Sequence, residues 1–139
     1  MSQDGYPDDL LYHPEHDWAR IDPEGSDQAH PEATLGITWY AQDALGEVVF
    51  FEAPAVGTLL VQGAPYAEVE SVKAVSDVVA PLSGEIVAVN ETLADSPQLI
   101  NEDPYGEGWM FEVETDPATL AQELAALMDA DGYGALAGT

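Results

Sequence analysis

A chain of 139 residues, 46% of them hydrophobic, can build one packed domain, and none of its apolar runs approaches the ~20 residues of a membrane span. The absence of cysteine excludes disulfides, thiolate catalysis and cysteine-ligated metals. Against 27 acidic residues stand only two basic ones, Arg20 and Lys73, for a formal net charge of −25; nucleic acid and anionic membranes are excluded as partners, and a binding surface must be basic.

Residues 1–10 are acidic, carry Gly5 and Pro7, and lack the basic start and apolar stretch of a leader. They read as a flexible arm ahead of a single domain over 11–139, in a soluble, cytoplasmic, monomeric protein. Leu11 to Ile21 reads as a strand region around Trp18, and Asp22 to Glu32, rich in Asp, Pro, Gly and Ser, as an exposed loop. A short strand follows at Ala33 to Ile37. Thr38 to Leu45 has helical spacing, with Thr38 as N-cap and Gly46 as the stop. Val48 to Phe51 is a four-residue apolar run suited to a buried strand.

From there to Val89, short β-prone runs are divided by Pro54, Gly57, Gly63, Pro65, Pro81, Gly84 and Asn90, the pattern of a small barrel or sandwich. Ala53-Pro54-x-x-Gly57-x-Leu59 recurs as Ala80-Pro81-x-x-Gly84-x-Ile86, which suggests two similar strand-turn units facing each other. Gly84 reads as a backbone conformation needed in the facing turn. Pro97 to Ile100 reads as a helical turn and Trp109 to Val113 as a closing strand. Asp116-Pro117 then opens a helix to about Met128, with Leu120, Leu124 and Leu127 as its apolar stripe. Gly132, Gly134 and Gly138 mark a loose tail with room for one more helical turn. The fold class is mainly β, with short peripheral helices and a C-terminal helix.

Lys73 is the one lysine of the chain, and β-prone segments at Tyr66 to Val69 and Asp77 to Val79 flank it. That places it at or near a hairpin tip, where a long side chain projects from a fixed backbone and its amine is open to acylation. On placement alone, a surface ion pair with Glu70 or Asp77, worth ~0–1 kcal/mol, accounts for the residue equally well.

Glu70-Ser71-Val72-Lys73-Ala74, followed by Ser76-Asp77 and Pro81-x-Ser83-Gly84-Glu85, resembles the lipoylation segment of glycine cleavage H proteins. His16-Asp17-Trp18 resembles that family's His-Glu-Trp. Leu35-Gly36-Ile37-Thr38-x-Tyr40-Ala41-Gln42, Leu45-Gly46-Glu47-Val48-Val49-Phe50 and Asn101-x-x-Pro104-Tyr105-Gly106-x-Gly108-Trp109 resemble further parts of it, in order, over most of the chain. The resemblance implies a lipoyl/biotinyl-type hybrid barrel-sandwich and lipoate in amide linkage to Lys73. It implies a carrier rather than an enzyme, one that shuttles an aminomethyl group from glycine decarboxylase to the aminomethyltransferase and is reoxidised by dihydrolipoyl dehydrogenase. A lipoate-attaching enzyme is a further implied partner. Glu70 and Ser71 are then expected in recognition of the turn, and Asp77 and Asp17 in contact with the loaded arm. Asp17 departs from the family's Glu by one methylene. As solvated surface acids, Asp17 and Asp77 would need no such role.

Three other carriers share the lysine turn, one of them the lipoyl domain of a 2-oxo-acid dehydrogenase acyltransferase, which is shorter and tethered by a flexible linker where this chain has extra segments at both ends. A biotin carrier would show methionines beside the lysine, where this chain has Val72 and Ala74; a lipoate-relay protein resembling the H protein is poorly separated by sequence. His13, His16 and His30 lack a metal-binding spacing, and Trp18, Trp39 and Trp109 suit packing. The charge itself is testable. Raising salt from ~0.01 to ~0.15 M shortens the Debye length from ~30 to ~8 Å, so thermal unfolding followed by circular dichroism should show a midpoint that climbs with salt.

Overall fold

The structure, a computed structural model, describes residues 6–22 and 31–137. Among the described residues nine strands form two sheets. The larger contains β1 (Leu11–His13), β2 (Asp17–Asp22), β3 (Glu32–Ile37), β9 (Phe111–Glu114), β8 (Gly84–Val89) and β5 (Leu59–Leu60), side by side in that order. The smaller contains β4 (Val48–Glu52), β6 (Pro65–Ser71) and β7 (Val75–Val79). All pairings are antiparallel.

Alternation along the strands sets the core. Val69, Val78 and Phe51 of the small sheet and Leu35, Phe111, Val113 and Ile86 of the large one are buried in a single cluster. Phe51 and Tyr66 meet Phe111 across the sheets, with ring centroids 5.5 and 5.0 Å apart. The outer face of the large sheet carries a second cluster of Tyr6, Leu10, Tyr12, Trp18, Ala130 and Tyr133. Trp18 is fully buried there and donates through Nε1 to Pro104 O at 3.0 Å. Covering ~200 Å² of such a ring contributes about 5 kcal/mol.

Several expectations are refined. The strand region Leu11 to Ile21 is two strands, because the chain turns at Pro14 to His16, where His16 adopts φ +75° and its N–H donates to His13 O at 2.9 Å. The expected loop at Asp22 to Glu32 lies outside the described residues over 23–30, between strand ends that pair Asp22 with Glu32. Of the expected flexible arm, residues 1–5 lie outside the described residues, but Tyr6 and Leu10 are buried against the outer cluster.

Helix α1 (Trp39–Leu45) starts and stops as its punctuation predicts. The Thr38 hydroxyl accepts from Ala41 N–H at 3.2 Å, and Gly46, at φ +85°, donates to Gln42 O at 3.0 Å. Two single-turn helices follow β8, α2 (Thr92–Asp95) and α3 (Leu99–Glu102). Helix α4 (Pro117–Leu124) is capped by Asp116 but ends before Met128. Tyr12 and Met128 exchange two backbone hydrogen bonds of 2.8 Å, which draws the chain out of helical geometry and onto β1. Asp129 then accepts from Gly132 N–H at 2.8 Å and opens α5 (Ala130–Ala137). The expected loose tail is thus a packed helix whose Tyr133 is fully buried.

The internal repeat pairs with itself. Leu59 and Leu60 lie opposite Glu85 and Gly84, and Gly57 N–H donates to Ile86 O at 2.8 Å. Gly84 is needed for a close approach rather than for a turn conformation, since a Cβ there would lie 2.6 Å from the Glu114 carbonyl oxygen. Gly84→Ala must therefore separate β8 from β9. A loss of about 1–3 kcal/mol is expected, measured as a fall in the urea midpoint.

Candidate functional site

Lys73 sits in the turn Val72 to Ala74 between β6 and β7. Ser71 builds this turn: its N–H donates to Ala74 O at 2.8 Å, and its Oγ accepts from Ala74 N–H at 3.1 Å and Lys73 N–H at 3.3 Å. Val72 N–H donates to Glu47 O at 3.0 Å, tying the tip to the segment between α1 and β4. The tip is exposed and its backbone is fixed. The stem of Lys73 lies over Gly46, where a Cβ would approach Cε to 3.2 Å. Gly46 thereby ends α1 and leaves room for the lysine. Asn101 of α3 holds this segment from beneath, donating to Gly46 O at 2.8 Å and Gln42 Oε1 at 3.0 Å and accepting from Val48 N–H at 2.8 Å.

Beside the tip is a cleft of about 320 Å³. One wall is α1 with Tyr40, Ala41, Ala44 and Leu45; the other is Ala74 of the turn with Val75, Ser76 and Asp77 of β7. Glu15, His16 and Asp17 close its end.

Asp17 lies opposite Ile37 in the register of β2 and β3, on the inward face with Ala19 and Leu35. It is 2% exposed. Burial, and next the charge of Glu15, push its carboxyl well above the usual carboxylate range; a hydrogen bond from Val79 N–H only partly opposes them. Its Oδ2 is buried without a hydrogen-bond partner. A buried carboxyl oxygen without a partner is costly, and Asp17 lines the cleft.

The expected site residues therefore divide. Asp17 and Asp77 share the cleft with the residues next to Lys73. Ser71 shapes the turn. Glu70 pairs in register with Phe50 and Val75 in the small sheet and does not line the cleft. Glu52, Glu68 and Asp77 stand directly opposite one another across the three strands of this sheet. His16, Tyr40 and Gly46 are further site residues that spacing alone does not reveal; each falls in a segment that resembles the family, and Gly46 is also the stop of α1. Among the described residues no group of three potential ligands is arranged to hold a metal.

A family model described as glycine cleavage H-protein matches residues 10–138. The chain belongs to the glycine cleavage H-protein family. The H protein of Cronobacter sakazakii is 48% identical over 130 residues, covering 94% of each chain. That of Mycolicibacterium gilvum is 50% identical over 127 residues, covering 91% of this chain and 92% of its own. The crystal structure of an H protein from Mycobacterium marinum superposes with a TM-score of 0.81 at 39% identity, covering 96% of this chain and 99% of that one. The family's sandwich of two curled sheets with short helices and a C-terminal helix is the fold described above.

Asp17 has a pH signature. A carboxyl held above its unfolded value makes the native state bind protons more tightly, so its contribution turns unfavourable as pH rises through the ordinary carboxylate range and levels off above the raised value. Asp17→Asn removes this slope. Its unfolding midpoint should match wild type near pH 4 and exceed it increasingly toward pH 8, which calorimetry at both pH values will show.

Proposed function

We propose that this chain is the lipoyl carrier of a glycine cleavage system, a single carrier domain over 11–139 with lipoate in amide linkage to Nζ of Lys73. One observation carries the reading. An exposed lysine on a rigid tip stands beside a cleft floored by a carboxyl whose second oxygen has no partner. The residues present fit the group: Gly46 leaves space along the lysine stem, and the cleft has apolar walls in Ala41, Ala44, Leu45 and Val75 with acids at Asp17 and Asp77. Lipoate would supply a dithiolane able to accept the aminomethyl group left after glycine decarboxylation.

The chain's own residues bind and shield. A protonated amine entering the cleft gives the Asp17 carboxyl its missing partner, and in ionising beside a cation Asp17 loses the penalty of its burial. Asp77 adds a second negative charge at the rim. The apolar walls exclude the water that would hydrolyse the amine. The shorter side chain of Asp17 sets the carboxyl back in the floor, so the amine must enter deeply to reach it. No side chain here is asked to break or form a bond; the chain serves as a carrier and the catalysts are its partners.

Those partners are glycine decarboxylase, the aminomethyltransferase, dihydrolipoyl dehydrogenase and a lipoate-attaching enzyme, in the cytoplasm. Each must meet a chain of net charge −25 with a basic face. No helix is long and apolar enough to cross a membrane among the described residues.

The scarcity of basic residues makes the test simple. Protein isolated from its native cell, digested with trypsin and weighed, should leave 21–139 intact and heavier by one lipoyl group, because acylated Lys73 resists cleavage. Fragments 21–73 and 74–139, from cells that lipoylate other proteins, would overturn the carrier reading.

A further inference from the structure

The C-terminal helix reaches the cleft through a single hydroxyl. Tyr133 of α5 is fully buried, 117 residues along the chain from His16, yet its hydroxyl lies 2.7 Å from His16 Nδ1 and 2.7 Å from Thr38 Oγ1. Thr38 caps α1, one wall of the cleft, and His16 lines its end. His16 is also conformationally unusual, with φ +75°, a region that a side chain other than glycine seldom adopts. Besides its N–H bond to His13 O, three contacts hold it there. Thr38 N–H donates to His16 O at 3.1 Å, the ring stacks on Tyr40 at 4.5 Å, and Nδ1 meets Tyr133.

The hydrogen-bond polarity follows from the inventory of donors. Thr38 Oγ1 already accepts from Ala41 N–H, and the Thr38 side chain is fully buried. If Tyr133 donated to Thr38, the threonine proton would be buried without an acceptor. Thr38 therefore donates to Tyr133, and Tyr133 donates to His16 Nδ1. Burial keeps His16 below the usual imidazole range, with Glu15 opposing, so the ring is neutral near pH 7. Its single proton is then on Nε2.

We propose that Tyr133 is a positioning residue for the cleft: its hydroxyl locks His16 as the neutral Nε2–H tautomer and fixes the Glu15–His16–Asp17 end against the N-terminus of α1. The inference rests on the reading of this cleft as the docking site of the loaded arm. A neutral ring here does not repel an incoming ammonium, and a fixed ring keeps Asp17 in place behind it. The second cluster holds Tyr133 from the other side, with Tyr12 stacked on its ring at 4.8 Å and Tyr6 edge-on at 5.0 Å.

The test compares wild type, Tyr133→Phe and Tyr12→Phe. Tyr12 loses a hydroxyl that donates to Pro7 O at 2.7 Å in the same cluster but outside the cleft, so it controls for a general loss of stability. Nitrogen-15 NMR of the unacylated proteins should show His16 in the Nε2–H form in wild type and Tyr12→Phe, and a mixture of tautomers in Tyr133→Phe. With the lipoylated, aminomethyl-loaded proteins kept free of partner enzymes, Tyr133→Phe should release formaldehyde roughly 3- to 10-fold faster, the effect of one net hydrogen bond, while Tyr12→Phe matches wild type. Should Tyr133→Phe fail to fold, the nitrogen-15 spectrum of wild type decides, since His16 found there in the Nδ1–H form or as a mixture of tautomers would overturn the proposal.

Unchanged tautomer and release rate in Tyr133→Phe would overturn the proposal, as would a changed tautomer with an unchanged rate. If wild type releases formaldehyde as fast as free aminomethyl-dihydrolipoamide, the docking reading itself falls and this inference with it. Protection in wild type that persists in Tyr133→Phe removes only the role of Tyr133.

Discussion

In the proposed carrier role a side chain leaves one point and lands at another, and the pairing of β7 with β6 puts both points on one rigid body. The turn at Val72 to Ala74 sets the point of departure, while the next residues of β7, Val75 to Asp77, form a wall of the cleft. Lys73 and this wall are separated by two to four residues of the chain. The rest of the fold supports this arrangement. Glu47 O holds the tip, Asn101 holds the segment carrying Glu47, and α1 supplies the opposite wall.

The cleft is stabilised from outside and strained from inside. Tightly packed aromatic residues cover the outer face of the large sheet, whereas the inward face of β2 gives up a position to a carboxyl. Asp17 stands where strand alternation calls for an apolar residue, between the sheets and beneath the cleft. His16 next to it stands in a backbone region that the local sequence disfavours. Both departures from ordinary folding preferences fall in one dipeptide at the end of the site, which is where function is expected to override stability.

Much of this was legible in the residues because it is written in local chemistry. Thr38 and Gly46 bound α1, Asp116-Pro117 opens α4, and the paired Ala-Pro-x-x-Gly units predict a contact that the register of β5 and β8 confirms. The burial of Asp17 was also within reach, since Asp17, Ala19 and Ile21 alternate with Trp18 and Arg20 along one strand. What was not legible is long-range. The turn that splits Leu11 to Ile21, the early end of α4 and the packing of Tyr6 depend on contacts between the first and last parts of the chain, as the Tyr12–Met128 pairing shows. Gly132 and Gly134 disguise Tyr133 as part of a tail because helix propensity counts against glycine, while the hydrogen bond that Asp129 accepts and the burial of one aromatic ring outweigh it.

The row of Glu52, Glu68 and Asp77 has a consequence for how copies of the molecule meet. β4 and β7 are the two edges of a short, exposed sheet, and unpaired edges invite strand addition from a neighbour. An arriving edge from an identical chain would bring its own carboxylates against Glu52 or Asp77, and cross-strand like charges oppose pairing by about 0.2–1 kcal/mol each. The acidity of this surface thus guards it against amyloid-like stacking, and it does so at the sheet that presents Lys73.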